Sequence, residues 1–313
     1  MRVLVTGAAG FIGSQLSRRL STFAEVVGLD DLSTGSLDNL ADADIRLVEG
    51  SILDPDVLRQ AADGCSAIVH LAARPSVPRS IVDPVASHEA NATGTVNVLE
   101  AARQIGDPLV IVASSSSVYG ANPTMPKHEG LVPMPVSPYA ASKLATEQYA
   151  LAWQHSFGVR SLAFRFFNVF GPYQAAGHAY AAAIPAFVSA ALRSEPLIIH
   201  GDGEQSRDFT YVGTLCDVVA DAILRGISSD RPVNLAFGTR ISLLEVVRLL
   251  EDIIGRPLER HHVDVRAGDV RHSQADNSRL RSMFPDITPV PLEDGLRATV
   301  EWMSRQLGLN QAS

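Results

Sequence analysis

The sequence predicts an α/β protein: a doubly wound parallel sheet over residues 1–172, then a smaller, irregular α+β region over 173–313. Three observations carry this. Short apolar runs alternate with longer helix-like stretches through the first half. The runs are near-continuous rather than alternating, the pattern of strands covered on both faces. Beyond "FGP" at Phe170–Pro172 the rhythm breaks, and arginine and histidine become more frequent.

The expected elements follow in order. A strand at Arg2–Thr6 leads through a glycine-rich turn into a helix at Ile12–Leu20. Strands at Glu25–Leu29, Ile45–Val48, Ala67–Leu71 and Leu109–Ala113 come next, with helices at Asp56–Ala62 and Val85–Gln104 between them. A helix from Tyr139 to about His155 has Ser137 to cap it and Pro138 for its first turn. A strand follows at Ser161–Phe167. The proline-rich passages Asn122–Pro138 and Gly171–Tyr180 read as loops near one rim of the sheet. Some segments of the second region are expected to return and pack on the first.

At 313 residues and 46% hydrophobic content the chain can bury a sizeable core. Its net charge of −8 argues against a nucleic-acid or anionic-membrane partner. Cys65 and Cys216 form no disulfide framework and no zinc pattern. The apolar start "VLVTGAAGFIG" carries three glycines and lacks a cleavage site. No stretch reaches the roughly 18–20 apolar residues of a spanning helix. A cytoplasmic protein is expected. No metal is expected either, because His261, His262 and His272 lack ligand spacing.

The turn after the first strand reads "TGAAGFIG", with glycines at positions 7, 10 and 13. Strand, glycine-rich turn and helix start bring free N–H groups and a positive dipole end to a phosphate, and Gly7, Gly10 and Gly13 let the backbone come close. Asp30 closes the second strand, where a carboxylate accepts both ribose hydroxyls of an adenosine. With no arginine between Val26 and Asn39, NAD is expected over NADP. The Gly-x-x-Gly-x-x-Gly spacing resembles that of the short-chain dehydrogenase/reductase superfamily, a Rossmann-type fold.

The chain has only two lysines, Lys127 and Lys143, and Lys143 stands four residues after Tyr139 in "SPYAASK". On a helix the two share a face. For a tyrosine to act as a base near neutral pH its pKa must fall by roughly 3 units, about 4 kcal/mol. A close ammonium group and a cationic nicotinamide ring are expected to supply this. A serine of "ASSSSVYG", after the fifth strand, can relay the proton; the chemistry alone does not say which.

These pieces resemble the extended short-chain dehydrogenases of the nucleotide-sugar epimerase/dehydratase family, over nearly the full chain. The matching motifs are "TGAAGFIG", "HLAA" at His70–Ala73, "SSVYG" at Ser116–Gly120, "SPYAASK", "RFFNVFGP" at Arg165–Pro172, "GDGEQSRDFTYV" at Gly201–Val212 and "RAGDVRHS" at Arg266–Ser273. The resemblance implies Ser115 as the catalytic serine beside Tyr139 and Lys143, with Ser116 the second candidate. Dehydratases of the family follow that serine with an Asp-Glu pair. Here Ser116 and Ser117 follow, so epimerisation is expected over dehydration.

The resemblance also implies the binding residues. On the cofactor side these are Phe11 and Ile12 of the glycine turn; Asp31, Ser33, Thr34 and Gly35 after the second strand; Ser51 and Ile52 at the adenine; Leu71, Ala72, Ala73 and Arg74 of the "HLAA" loop; and Asn91 and Phe166. Many relatives carry aspartate at the position of Ser51, so the adenine contact departs from their pattern. On the substrate side the resemblance implies Ser76, Val77, Ser115, Ser116, Ala179 and Tyr180. It further implies Asn168 at the diphosphate or sugar, Arg207 and Arg266 on the diphosphate, Asp269 on the uridine ribose, and Ser273 leaving room for a 2-acetamido group. The implied activity is a UDP-hexose 4-epimerase with tightly held NAD, with UDP-N-acetylglucosamine and UDP-glucose as candidate substrates, working as a homodimer. A UDP-glucuronate 4-epimerase, another nucleotide-sugar oxidoreductase, and a non-enzymatic nucleotide sensor are the alternatives.

Overall fold

The computed structural model describes residues 1–106, 108–176, 182–265 and 271–309. Its first layer runs β1 (Arg2–Thr6), α1 (Phe11–Ser21), β2 (Glu25–Asp30), β3 (Arg46–Glu49), α2 (Pro55–Ala62) and β4 (Ala67–His70). Short helices α3 (Val77–Val82) and α4 (Pro84–His88) lead through a π-turn (Glu89–Thr93) into α5 (Gly94–Gln104). Then come β5 (Leu109–Ser115), α6 (Pro138–Phe157) and β6 (Ser161–Phe166). The second region holds β7 (Val169–Phe170), α7 (Ala183–Leu192), β8 (Leu197–His200), β9 (Ser206–Arg207), β10 (Thr210–Tyr211), α8 (Val212–Arg225) and β11 (Val233–Leu235). It ends with β12 (Ile241–Ser242), α9 (Leu243–Ile254), β13 (Arg260–Val263), α10 (Ser278–Met283) and α11 (Leu292–Gln306).

Seven strands pair in the order β11-β6-β5-β4-β1-β2-β3, all parallel. Successive residues of each central strand enter different cores. Val3 and Val5 of β1 join Leu16 and Leu20 of α1 on one face, while Leu4 joins Leu58 of α2 and Val98 of α5 on the other. Both faces are therefore dry, and the strand reads as a continuous apolar run. After β3 the chain crosses to the far side of β1 to lay down β4, so the carboxyl ends of β1 and β4 flank the switch point where ligands of such sheets bind.

Two later elements lie with this first layer: α8 packs on the α1 side and β11 becomes its seventh strand. A third core gathers α7, β8, α9 and α11 around Phe187, Ile199, Val247 and Val300. Helix ends follow local chemistry. Asp54 caps α2 through the N–H groups of Asp56 and Val57, and Ser242 and Glu245 form a reciprocal capping box on α9. Ser137 caps α6 through the Ala140 N–H, and Gly158 ends it in the left-handed conformation.

One expected helix differs. The stretch 85–104 is not continuous: the π-turn interrupts it, and a π-turn releases a backbone carbonyl from its usual helical partner. The carbonyl of Asn91 there accepts the side-chain hydroxyls of Thr95 and Thr146 at 2.6 and 2.9 Å.

Candidate active site

The cradle after β1 is built from close backbone contacts. A Cβ on Gly13 would stand 2.0 Å from the Gly7 carbonyl oxygen, and one on Gly7, whose φ is +72°, would stand 2.7 Å from the Ala72 nitrogen. No side chain caps α1 and its first turn holds no acid, so its positive end is open to an anion. Phe11 and Ile12 pack their side chains against the core. These features fit a dinucleotide pyrophosphate.

Asp30 ends β2, 7% exposed, and accepts the N–H groups of Ala9 and Leu32, both at 2.8 Å. Burial raises its pKa and those two hydrogen bonds pull it down. Asp31 accepts the Ser33 N–H and hydroxyl, Thr34 is exposed, and Gly35 lies against Ala9. Ser51 accepts the Leu53 N–H at 3.2 Å. Ile52 is buried against Gly94 of α5.

The loop after β4 is held from two sides. Leu71 and Ala72 donate their N–H groups to the backbone and side chain of Thr6. Ala73 is half-buried. Asn91 accepts the Arg74 N–H at 2.7 Å and returns its amide to the Arg74 carbonyl, while the Arg74 guanidinium pairs with Asp83. Ser76, at φ +97°, caps α3 through the Arg79 N–H, and Val77 opens that helix. Ser80 of α3 accepts the Tyr139 N–H at 3.0 Å and so seats the start of α6.

Ser115 lies near Tyr139, and its side chain lowers the phenol's pKa. The Ser115 oxygen accepts the Ser117 N–H and hydroxyl, which leaves its own proton for the phenol or a ligand. Ser116 begins the 3-10 turn beyond it. Lys143 is 5% exposed, and its ammonium donates to the Ala113 carbonyl at 2.8 Å. Burial brings its pKa down to about 8.

The expectation that Lys143 lowers the Tyr139 pKa is not met in the protein alone. Burial raises the phenol, Ser115 offsets part of this, and Lys143 is not among the groups that shift it. The physical reason is that the ammonium is engaged with Ala113 and the phenol has lost water without gaining a charge partner.

Phe166 ends β6 opposite Ser115 and Leu235 in the sheet register. Asn168, at φ +32°, donates its amide to the Asp208 carbonyl. Arg207 donates to the carbonyls of Ser206 and Arg271. Ser273 is tied by its N–H to the Ser206 carbonyl, which puts it beside β9. Ala179, Tyr180, Arg266 and Asp269 lie outside the described residues.

Several polar residues around this site were not singled out in the sequence. Ser142, Lys143, Thr146 and Glu147 form a buried polar stripe on α6. Ser114 bridges the Lys143 carbonyl and the Glu147 carboxylate, and Glu147 in turn holds Arg165. The available signal for Thr146 and Glu147 was their spacing of three and four residues from Lys143, the period of one helix face.

Comparison with known proteins agrees with this geometry. Residues 3–236 match the family described as NAD dependent epimerase/dehydratase. The chain is 37% identical to a UDP-glucose 4-epimerase of Mycolicibacterium smegmatis over 96% of its length and 98% of the relative's. It is 32% identical to a UDP-glucuronate 4-epimerase of Thermodesulfobacterium geofontis, over 98% and 97% of the two chains. It superposes with a TM-score of 0.92 and 35% identity on a UDP-N-acetylglucosamine 4-epimerase from Methanobrevibacter ruminantium solved with UDP-N-acetylmuramic acid, over 97% and 98% of the two chains. Glycine cradle, acidic strand end and tyrosine–lysine helix thus stand in a matching framework, and the chain belongs to the NAD-dependent epimerase/dehydratase family, the extended short-chain dehydrogenases.

Proposed function

We propose that this protein is a UDP-hexose 4-epimerase acting on UDP-N-acetylglucosamine, UDP-glucose or both. The nearness to Ser115 of Tyr139, one turn before Lys143, carries the reading. NAD, when bound, supplies a hydride acceptor and donor together with a positive ring charge. Tyr139 takes the proton of the sugar C4 hydroxyl and later returns it. Ser115 bridges that hydroxyl and the phenol with its free proton. Lys143, protonated at neutral pH, holds its ammonium near the cofactor ribose. Burial favours the neutral phenol in the protein alone, and the positive ring charge that NAD would supply would favour its ionised form. Asn168, Arg207, Arg266 and Asp269 bind the nucleotide, with Arg207 offering a planar fork to phosphate. Ser273 leaves room at the sugar C2 position. The absence of a carboxylate at Ser116 and Ser117 supports epimerisation over dehydration.

A homodimer is part of this reading. Ile81, Val82, Val85, Tyr149 and Phe157 are large exposed hydrophobics on α3, α4 and α6, a face suited to a second copy. Incubating the purified protein with UDP-N-acetylglucosamine, UDP-glucose and UDP-glucuronate, then reading the products by proton NMR, tests the function. Inverted C4 centres are expected with the first two. Conversion of UDP-glucuronate alone would replace this reading with the alternative one. Tyr139→Phe should lose turnover while keeping NAD.

A further inference from the structure

We propose that His70 is a positioning residue: it fixes the distance between the cofactor-side loop 71–74 and the tyrosine helix α6 through a run of hydrogen bonds that meets α6 at the Asn91 carbonyl. The proposal deepens the epimerase reading and rests on it.

His70 is the last residue of β4, 3% exposed, with both ring nitrogens engaged. Nδ1 faces the Thr6 hydroxyl at 2.8 Å, and Nε2 faces the Thr95 hydroxyl at 3.1 Å. Counting protons sets the direction. Thr95 has one, and its shortest contact is with the Asn91 carbonyl at 2.6 Å, so its oxygen is left to accept from His70. The ring proton therefore sits on Nε2. Nδ1 is bare and takes the Thr6 proton, and the Thr6 oxygen then accepts the Ala72 N–H at 3.2 Å. Burial first, and the nearby Lys143 charge second, hold the ring neutral, with its pKa down to about 3.

The chain continues past Thr95. The Asn91 carbonyl also accepts the Thr146 hydroxyl of α6. The Asn91 amide donates to Ser142 of α6 and to the Arg74 carbonyl. Ser142 donates to the carbonyl of Tyr139 itself. One run of donors thus leads from the Ala72 N–H, beside Gly7 of the cradle, through Thr6, His70 and Thr95 to the Asn91 carbonyl, where the Thr146 hydroxyl of α6 converges on it, while the Asn91 side chain separately ties Arg74 to Ser142. Phe or Leu at position 70 would fill the space and cut the path on both sides. A shift of about 1 Å between a phenol and its reaction partner is enough to cost roughly 100-fold in rate.

Three variants of the full-length, NAD-loaded protein test this: His70→Phe, His70→Gln and His70→Asn. His70→Phe should lower kcat for the UDP-sugar about 10- to 100-fold per NAD-loaded molecule while KM stays within about twofold. One of the two amide variants, which keep a donor or an acceptor, should recover part of the loss. A second measurement needs no sugar turnover: NADH affinity of stripped His70→Phe should fall about 10-fold, with ADP-ribose affinity within about twofold of wild type. Equal losses for NADH and ADP-ribose, or a wild-type kcat in His70→Phe, would overturn the proposal. If the wild type turns over no UDP-sugar, the epimerase reading fails, and the NADH and ADP-ribose comparison still decides on His70.

Discussion

Glu147 and Arg165 face each other beneath the tyrosine helix, joined by two hydrogen bonds of 2.6 and 2.9 Å with the side chains 0% and 2% exposed. Burial works against the guanidinium charge, and the carboxylate more than offsets it, so the Arg165 pKa is raised above its ordinary value. The guanidinium also lies 4.7 Å from the Tyr119 ring centre, and the Tyr119 hydroxyl donates to Asn234 of β11 at 2.6 Å. The tyrosine helix α6, strand β6 and the seventh strand β11 therefore share one buried junction.

Cutting that junction on one side strands a charge. Arg165→Met should destabilise the protein by about 3–5 kcal/mol in urea denaturation, and Glu147→Leu by a similar amount. The double variant should lose less than either single one, because no unpaired charge remains. Losses that simply add would show that the pair is not coupled.

Burial of the Lys143 ammonium opposes stability. Its folded pKa of about 8 lies below the ordinary lysine value of roughly 10.4. Below pH 8 both folded and unfolded lysine are charged, and the folded state carries the whole burial penalty. Between pH 8 and the unfolded value the folded amine gives up its proton first, so wild-type stability rises with pH relative to a variant without the amine. Cofactor-free Lys143→Met should be more stable than wild type by about 1–3 kcal/mol at pH 7, and the gap should close by pH 10. A gap that does not change between the two pH values would refute the assignment.

His70 acts in the opposite range. Its folded pKa of about 3 lies under the unfolded value of roughly 6.5. Above the unfolded value both states are neutral. As pH falls through that window only the unfolded chain gains the proton, and stability is lost. Between pH 6.5 and 5 the wild type should lose about 2 kcal/mol more than His70→Gln, at about 1.4 kcal/mol per pH unit. Parallel stability curves for the two proteins would contradict a neutral buried ring.

Ser273 should govern the sugar. Its backbone is fixed to Ser206, next to Arg207, so a larger side chain there has little freedom to move away. Ser273→Tyr should reduce kcat/KM for UDP-N-acetylglucosamine by about 100-fold and leave UDP-glucose within about fivefold, measured by coupled assay. Equal effects on both sugars would remove Ser273 as the selector.

Much of the frame was legible because a buried parallel sheet leaves a plain trace: Val3, Leu4 and Val5 are all apolar since both faces of β1 are covered. The glycine turn was legible because its close contacts admit no side chain. The polar interior was not. Ser142, Thr146 and Glu147 look like a solvated face until their partners Asn91 and Arg165 arrive from other elements. The break in the helix at 89–93 was hidden for the same reason, since the π-turn serves hydroxyls distant in sequence. The proton affinity of Tyr139 depends on which way the Lys143 ammonium turns, and spacing along a helix does not encode that.

Both lysines of this chain are inside it, Lys127 at 6% and Lys143 at 5% exposure. The permanent cations of its outer shell are accordingly guanidinium groups, which keep their charge far into alkali. Between about pH 9 and 11, where most proteins shed surface ammonium charge, this one should lose charge chiefly through exposed phenols such as Tyr149, and reagents that acylate lysine amines will find few handles.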